Sequence, residues 1–285
     1  MSRCKARRAA VPALLLVLGL GLLALLLAPP ATAASGGLRQ PAYAGDFPDP
    51  FVLVTSGDYY AYATNGPGGN VQVRLSSDDG RTWRAGPDAL PRLPGWAAPG
   101  LTWAPSVERW GDRYVMYYTT RYRRAGRQCI SVATATEPGG PFVDTSTKPL
   151  VCQLSRGGSI DPVPFRDRDR AGYLLWKSDD NAVGSGSVLW SQRLRADGRG
   201  LVGSPVAMLH QDRAWEGYTM EGPTMVRVGK AYYLFYSSGW YDSADYAVGY
   251  AKCTGPRGGC RKVTTAAVAT VAQRRRRARR AERLS

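Results

Sequence analysis

"GKAYYLFYSSG", residues 229–239, places an aromatic-rich run between a glycine turn and a polar turn. Three earlier stretches have the same pattern: "GDYYAYATN" (57–65), "GDRYVMYYTT" (111–120) and "AGYLLWKSDD" (171–180). The first aromatic residues of the four copies lie 55, 59 and 59 residues apart, at Tyr59, Tyr114, Tyr173 and Tyr232. Such regular spacing indicates a structural repeat.

Each copy of the pattern lies between two further runs that read as strands. The preceding runs are "DPFVLVT", "APSVERW", "DPVPFRD" and "EGPTMVRV", and the following runs begin "NVQVRLS", "CISVATA", "SVLWSQR" and "YAVGYAK". Each unit therefore predicts at least three short antiparallel strands, with enough chain for a fourth. Repeated sheets of this size are typical of β-propeller blades. A two-sheet sandwich could use the same strands, but it would not require a pattern that recurs at fixed intervals.

The first 33 residues have the composition of a signal peptide. Four basic residues precede the apolar run at 11–28, and "ATAAS" (31–35) supplies small residues for cleavage. The competing interpretation is an uncleaved anchor, because about eighteen apolar residues can just span a bilayer. The small-residue site favours cleavage, so we expect a secreted, extracellular protein without a stable membrane anchor.

The net charge of +16 is concentrated at the two ends of the chain. The signal peptide carries four positive charges, and "QRRRRARRAERLS" (273–285) carries seven arginines against one glutamate. An arginine run can bind nucleic acid or anionic lipid. This run has no interleaved aromatic residues and follows an exported domain. We therefore predict a disordered basic tail at 263–285 and no nucleic-acid partner.

Four cysteines remain after removal of the signal peptide, an even number that suits an oxidising compartment. Three pairings are available to them. Proximity in sequence favours Cys129–Cys152 and Cys253–Cys260. No CxxC motif and no cluster of cysteine and histidine occurs, so the sequence predicts no metal site.

The run that opens each unit is expected to be the innermost strand of its blade. Its first residues are Asp49-Pro50, Ala104-Pro105, Asp161-Pro162 and Glu221-Gly222-Pro223. Equivalent positions of different blades meet at one mouth of the channel, so three carboxylates should meet there. The alternative is that each acid caps a turn by itself. Two carboxylates across a pocket can act as acid and base on a glycosidic bond, and a third would raise the proton affinity of its neighbour.

Other chemistries find less support in the sequence. His210 is the single histidine, so a Ser-His-Asp mechanism would depend on that one residue, and no glycine-rich phosphate loop occurs. Trp103 directly precedes the opening at Ala104 and could form a stacking floor for a sugar ring. Packing between blades is the equally weighted alternative for Trp103 and the favoured one for Trp215.

Four motifs resemble those of family-43 glycoside hydrolases, the group of arabinanases, α-L-arabinofuranosidases and β-xylosidases. They are "GDFPDPFVL", "LTWAPSVERW", "GGSIDPVPFRD" and "WEGYTMEGPTMV" followed by "YYLFYSS", and the similarity covers about residues 41–262. The resemblance implies a five-bladed propeller that hydrolyses arabinose- or xylose-containing plant polysaccharides with inversion. It also implies that Asp49 is the general base, that Glu221 is the general acid, and that Asp161 tunes and orients the acid. Trp103 would belong to the sugar-binding floor.

The sequence departs from this family beyond residue 262. The family usually continues into a fifth blade that brings a histidine towards a channel cation or water, whereas residues 263–285 contain neither the strand pattern nor a histidine. About four blades are thus recognisable, and we expect an incomplete propeller. The resemblance allows a channel Ca²⁺, but its usual histidine is missing here, so no cofactor is predicted. A non-catalytic glycan-binding propeller or an inactive truncated relative is the alternative function.

Two other glycosidase classes have partial matches. "SSDDGRTW" (76–83) fits a turn found in sialidase propellers, but it occurs once, on an outer hairpin, and neither an arginine cluster nor a tyrosine nucleophile can be assigned. Fructan-cleaving five-bladed enzymes also use three acids. Their motifs differ from the "IDP" and "EGP" of this chain.

Overall fold

The computed structural model describes residues 42–263 and 266–270, and these residues form an all-β structure. The predicted signal peptide and most of the predicted tail lie outside the described residues. Three short 3₁₀ helices accompany the strands in the described part, at Leu154–Arg156, Asp180–Val183 and Ala214–Glu216. No helix within these ranges is both long and apolar enough to cross a bilayer.

Two antiparallel sheets come from the first half of the described chain. The first sheet has the order β1-β2-β3-β4, with strands at Phe51–Val54, Tyr59–Ala63, Gln72–Ser76 and Arg84–Ala85. The second has the order β5-β6-β7, with strands at Ala97–Trp110, Arg113–Tyr122 and Arg127–Ala135. Strand β5, with 14 residues, is much longer than the run "APSVERW" predicts, because it continues upstream as a bulged strand beside β6.

The second half of the described chain forms two further sheets. The third has the order β8-β9-β10-β11, with strands at Ser159–Arg166, Gly172–Ser178, Val188–Leu194 and Leu201–His210. The fourth has the order β12-β13-β14-β15, and β16 also pairs with β14; its strands lie at Met220–Val228, Ala231–Ser238, Ala247–Cys253, Arg261–Lys262 and Ala269–Thr270. Since β16 belongs to this sheet, the sheet extends beyond residue 262, where the sequence predicts the propeller to end.

The opening strands of the four sheets are neighbours. Strands β1, β5, β8 and β12 each lie at one end of their sheet, β5 contacts β1 and β8, and β8 also contacts β12. This arrangement of four blades in the described residues confirms the predicted propeller. It also places the start of each opening strand on the same side of the ring.

Large apolar side chains fill the three interfaces between successive sheets. Tyr62 and Met116 lie in the cluster between the first and second sheets, and Trp176 lies between the second and third. Leu234 and Tyr236 lie between the third and fourth. All five side chains are buried. Because close-packed interiors resist small displacements, these interfaces hold the opening strands in fixed relative positions.

Both predicted disulfides are present. Cys129 on β7 pairs with Cys152 in the connection to the third sheet, and Cys253 at the end of β14 pairs with Cys260. The paired cysteines are 23 and 7 residues apart in sequence. Each bridge therefore cross-links part of the connection that follows β7 or β14.

Candidate active site

The backbone is left-handed at the residue directly before Pro50, Pro105, Pro162 and Pro223, the prolines at the aligned openings of the four units. The φ angles are 52° at Asp49, 43° at Ala104, 54° at Asp161 and 58° at Gly222. Few residues other than glycine adopt such angles, and when they do they often lie at functional sites. The equivalent of Asp49 and Asp161 in the fourth sheet is thus Gly222. The predicted alignment of Glu221 with the two aspartates is wrong by one residue.

A bulge explains how Glu221 still joins the other acids. The pairing of β12 with β13 shifts register between Glu221 and Thr224, and β8 shifts against β9 between Ile160 and Val163. Bulges of this kind redirect side chains at the end of a strand. Glu221, one residue before the left-handed position, therefore comes within electrostatic range of both Asp49 and Asp161.

Thr64 fixes the side chain of Asp49. Its hydroxyl donates a hydrogen bond to Oδ2 of Asp49 at 2.6 Å and accepts one from the backbone N–H of Ala104 at 3.0 Å. The first and second opening strands are therefore joined through one hydroxyl, and the Asp49 carboxylate is held in a single orientation.

Thr119 and Gly222 play the corresponding part for Asp161. The hydroxyl of Thr119 accepts a hydrogen bond from the backbone N–H of Asp161 at 3.1 Å. The backbone N–H of Gly222 donates to Oδ2 of Asp161 at 2.9 Å. Asp161 consequently connects the second, third and fourth sheets, and its carboxylate lies directly beside the segment that carries Glu221.

Two side chains that the sequence analysis did not single out hold the Glu221 carboxylate. Lys177 Nζ lies 3.0 Å from Glu221 Oε2 and 3.6 Å from Asp179 Oδ1. The hydroxyl of Tyr246 donates to Glu221 Oε1 at 2.8 Å. Lys177 is only 1% exposed. A lysine inside the apolar run "YLLWKS" was the available signal, because a buried lysine needs a charged partner.

Burial and like charge raise the pKa values of the two aspartates. Loss of water raises the pKa of Asp161 to about 7, the negative charges of Glu221 and Asp49 add to this effect, and Lys177 opposes it. Surrounding protein likewise raises the pKa of Asp49, the hydrogen bond from Thr64 lowers it, and the charge of Glu221 raises it further. Asp161 therefore carries a proton in part of the molecules near pH 7.

The two partners of Glu221 keep their protons. Burial would lower the pKa of Lys177, but the charges of Glu221, Asp161 and Asp179 raise it above its usual value. Burial, followed by the charge of Glu221, raises the pKa of Tyr246 far above its usual range. Lys177 is thus a cation and Tyr246 a neutral hydrogen-bond donor at every physiological pH.

A family model described as "Glycosyl hydrolases family 43" matches residues 38–281. The chain belongs to this family. It is 29% identical over 237 residues to beta-D-galactofuranosidase xynD of Aspergillus niger. The matched region covers 77% of this chain and 64% of that relative. The chain thus spans less than two thirds of the length of this curated relative.

Solved structures similar to this chain have a similar fold. A thermostable family-43 glycoside hydrolase is 29% identical, with a TM-score of 0.69 over 76% of this chain and 72% of that one. An endo-1,4-beta-xylanase from Bacteroides thetaiotaomicron is 27% identical, with a TM-score of 0.66 over the same shares. An endo-arabinase from that organism, at 20% identity and a TM-score of 0.68, covers 80% of this chain and 83% of its own and shows the fold alone.

The two tryptophans singled out in this family-43 chain lie in different surroundings. Trp103 is half-buried on β5, directly before Ala104, so it occupies the position of β5 that corresponds to Glu221 on β12. Trp215 stacks on Tyr236, with ring centroids 5.9 Å apart, and packs against the core between the third and fourth sheets. Trp215 therefore has the predicted packing role, and Trp103 is paired in register with Thr119, whose hydroxyl accepts a hydrogen bond from the backbone of Asp161.

Residues proposed for other chemistries lie away from these carboxylates. His210 ends β11, the strand of the third sheet farthest in order from β8. Asp78 lies in the turn after β3 and accepts hydrogen bonds from Ser76, Arg81 and Thr82, which give it a purely local turn role. Among residues 42–263 and 266–270, no group of three or more His, Cys, Asp or Glu side chains is arranged to hold a metal ion.

The ion pair of Lys177 leads to a prediction about stability. Lys177→Met removes the buried cation beside partly buried carboxylates, and breaking such a buried pair typically costs about 3–5 kcal/mol. We expect a loss of that size at pH 8, measured by chemical denaturation, and a smaller loss at pH 5, where Asp161 can accept a proton. Lys252→Met, at an exposed lysine on β14, is the matched control and should change stability little. An equal loss for Lys177→Met at both pH values would contradict the charge pairing.

Proposed function

We propose that this chain is a secreted glycoside hydrolase that cleaves arabinose- or xylose-containing plant polysaccharides or oligosaccharides with inversion at the anomeric carbon. The observation that carries the proposal is the convergence of Asp49, Asp161 and Glu221 at one mouth of the propeller, with Lys177 as their buried counter-ion. Family membership supports the same reaction class.

Asp49 is proposed as the general base. In an inverting reaction a carboxylate removes a proton from water as the water attacks the anomeric carbon. The hydrogen bond from Thr64 occupies Oδ2 of Asp49 and leaves Oδ1 for this water. Loss of water around Asp49 raises its pKa, which increases its strength as a base.

Glu221 is proposed as the general acid. It gives its proton to the glycosidic oxygen as the bond to the anomeric carbon breaks, so the leaving group departs as a neutral alcohol. The hydrogen bond from Tyr246 and the contact with Lys177 orient the carboxyl group. After each turnover Asp49 loses to solvent the proton that it took from the attacking water. Glu221 takes a proton back from solvent.

Asp161 is proposed to keep a proton available to the acid. Loss of water and the negative charge of Glu221 raise the pKa of Asp161 to about 7, so below that pH Asp161 holds a proton directly beside Glu221. Lys177 limits this effect, since its positive charge favours the ionised forms. Lys177 thereby keeps the pKa of Asp161 from rising further, so Asp161 can still lose its proton in the neutral range.

Secretion is part of the proposal because of the leader at 1–33 and the two disulfides. Stable disulfides form in oxidising compartments. Trp103 is proposed as the stacking surface for the sugar at the cleavage site, and the plant glycan is the proposed partner.

The direct test is hydrolysis followed by analysis of the first product. The purified protein is incubated with the nitrophenyl glycosides of arabinofuranose, xylopyranose and galactofuranose, and with linear arabinan and xylan. Galactofuranose and xylan are included because relatives of the chain are named for activity on these sugars. We expect sugar release from at least one of them, with proton NMR showing the first-formed anomer in the inverted configuration. Binding without release would instead favour the glycan-binding alternative, and retention would contradict the inverting mechanism.

Asp161→Asn tests the shared proton through the pH profile. Asparagine removes the carboxyl group whose pKa burial raises to about 7, together with the proton that it holds beside the acid. We expect the alkaline limb of kcat/KM to move to lower pH, by about one unit. An unchanged alkaline limb would show that Asp161 does not act on the acid. Asp112→Asn, which removes an exposed carboxylate from the turn between β5 and β6, should leave the limb in place.

A further inference from the structure

The three most exposed aromatic side chains among the described residues lie on two segments that contact each other. They are Tyr218 at 85%, Trp240 at 58% and Tyr241 at 68% exposure. Most large aromatic rings in this chain are buried or half-buried. Large exposed apolar groups that lie together often mark a binding site.

Two short segments carry these rings, and both segments flank Glu221. Tyr218 lies just before β12, and Trp240 and Tyr241 lie in the connection from β13 to β14. The backbone N–H of Gly239 donates to the carbonyl oxygen of Thr219 at 3.2 Å, so the segments are in direct backbone contact. Only Met220 lies between Thr219 and the proposed acid in sequence.

The connection between β13 and β14 is held in one conformation. Ser243 donates to the carbonyl oxygen of Trp240 from its backbone N–H at 3.0 Å and from its hydroxyl at 2.8 Å. The same connection ends at Tyr246, whose hydroxyl donates to Glu221. The rings of Trp240 and Tyr241 are 5.0 Å apart between centroids. An aromatic surface fixed in this way loses little conformational entropy when a ligand binds.

We propose that Tyr218, Trp240 and Tyr241 form a sugar-binding subsite on the leaving-group side of the cleavage site. The proposal rests on the function proposed above, in which Glu221 protonates the leaving oxygen. The sugar units beyond that oxygen must then lie on the side of Glu221, where these rings are.

The chemistry of the patch suits a glycan. The apolar C–H face of a sugar ring packs on an aromatic face, while its hydroxyl groups need polar neighbours. Asp242, Ser243 and Asp245 lie in the same connection as Trp240 and supply hydroxyl and carboxylate groups. A purely apolar protein partner would leave these polar groups without hydrogen bonds, which is costly.

The subsite predicts a split between long and short substrates. The variant Trp240→Ala/Tyr241→Ala should lower kcat/KM for linear arabinan or xylan oligosaccharides by about 2- to 12-fold for each ring. Activity on the nitrophenyl glycosides should stay unchanged, because they carry no sugar on the leaving-group side. Phe235→Ala, which removes an exposed ring from the middle of β13, is the matched control and should alter neither activity. Melting temperatures of all variants check that the fold is retained.

Calorimetric titration with the same oligosaccharides separates this proposal from the proposed function. Absence of any hydrolysis by the unaltered protein would overturn the proposed function, while weaker oligosaccharide binding by Trp240→Ala/Tyr241→Ala would still support the subsite. Unchanged kcat/KM and binding on oligosaccharides, or an equal loss on the nitrophenyl glycosides, would overturn the subsite. So would concentration-dependent self-association that disappears in the variant, because it would identify the patch as a protein interface.

Discussion

Glu221→Gln is expected to lower kcat by about 10²- to 10⁴-fold on glycosides with poor leaving groups. Glutamine has no proton to give, so an alcohol leaving group would have to depart as an unstable alkoxide. A dinitrophenyl glycoside needs almost no protonation, because dinitrophenolate is already a stable anion. Its hydrolysis should therefore fall far less. The measurement is kcat for methyl or oligosaccharide substrates and for dinitrophenyl glycosides, in the variant and in the unaltered protein.

The geometry around Glu221 makes glutamine the appropriate replacement. The amide oxygen can still accept the hydrogen bond that Tyr246 donates to Oε1. The amide nitrogen would face Lys177 Nζ, which lies 3.0 Å from Oε2, so some stability should be lost. Lys177 keeps a contact with Asp179 at 3.6 Å, which limits that loss.

Glu137→Gln is the control for the change of charge. Glu137 is exposed in the turn after β7 and makes no contact with the three acids. It should leave kcat unchanged on all substrates. A Glu221→Gln variant that loses equal activity on methyl and dinitrophenyl glycosides would contradict the role of general acid.

The repeated aromatic pattern was sufficient to predict the blades, because its copies recur at regular intervals along the chain even though each strand is short. The four stretches that begin near Tyr59, Tyr114, Tyr173 and Tyr232 correspond to β2, β6, β9 and β13, the second strand of each sheet. The opening strands before them then followed from their order. Proline near the start of a strand and alternating apolar residues are local signals that a single sequence carries.

The exact register of the acids could not be predicted in the same way. A residue before proline normally prefers an extended backbone, so the left-handed φ of Asp49, Asp161 and Ala104 has no local signal. It depends on hydrogen bonds from other blades, such as the one that Thr119 accepts from Asp161. Aligning the four opening stretches by sequence alone therefore placed Glu221 at the position that Gly222 occupies in the structure.

The counter-ion of the acids was also beyond prediction from local pattern. Lys177 and Tyr246 are 44 and 25 residues away from Glu221 in sequence, and each lies on a segment that otherwise reads as core or turn. Their meeting depends on how the third and fourth sheets pack. A lone lysine in an apolar strand indicates a buried ion pair, but it does not name the partner.

Asp49→Asn is expected to lower kcat by about 10²- to 10⁴-fold on every substrate, whatever its leaving group. An amide cannot take a proton from the attacking water, and that step is needed for alkyl and dinitrophenyl glycosides alike. Asparagine is tolerated in the left-handed region, so the φ of 52° at this position adds little strain. Its side-chain oxygen can also accept the hydrogen bond from Thr64. The fold should therefore be retained while activity is lost.

Comparison of the two variants identifies acid and base from one set of measurements. The ratio of kcat on dinitrophenyl to kcat on methyl glycosides should rise strongly for Glu221→Gln and stay near its original value for Asp49→Asn. Asp58→Asn, in the exposed turn at the other end of β1, removes the same charge from the same blade and should change neither rate. If Asp49→Asn alone raised the ratio, the two roles would be exchanged. If neither variant lost activity, these carboxylates would not carry the reaction.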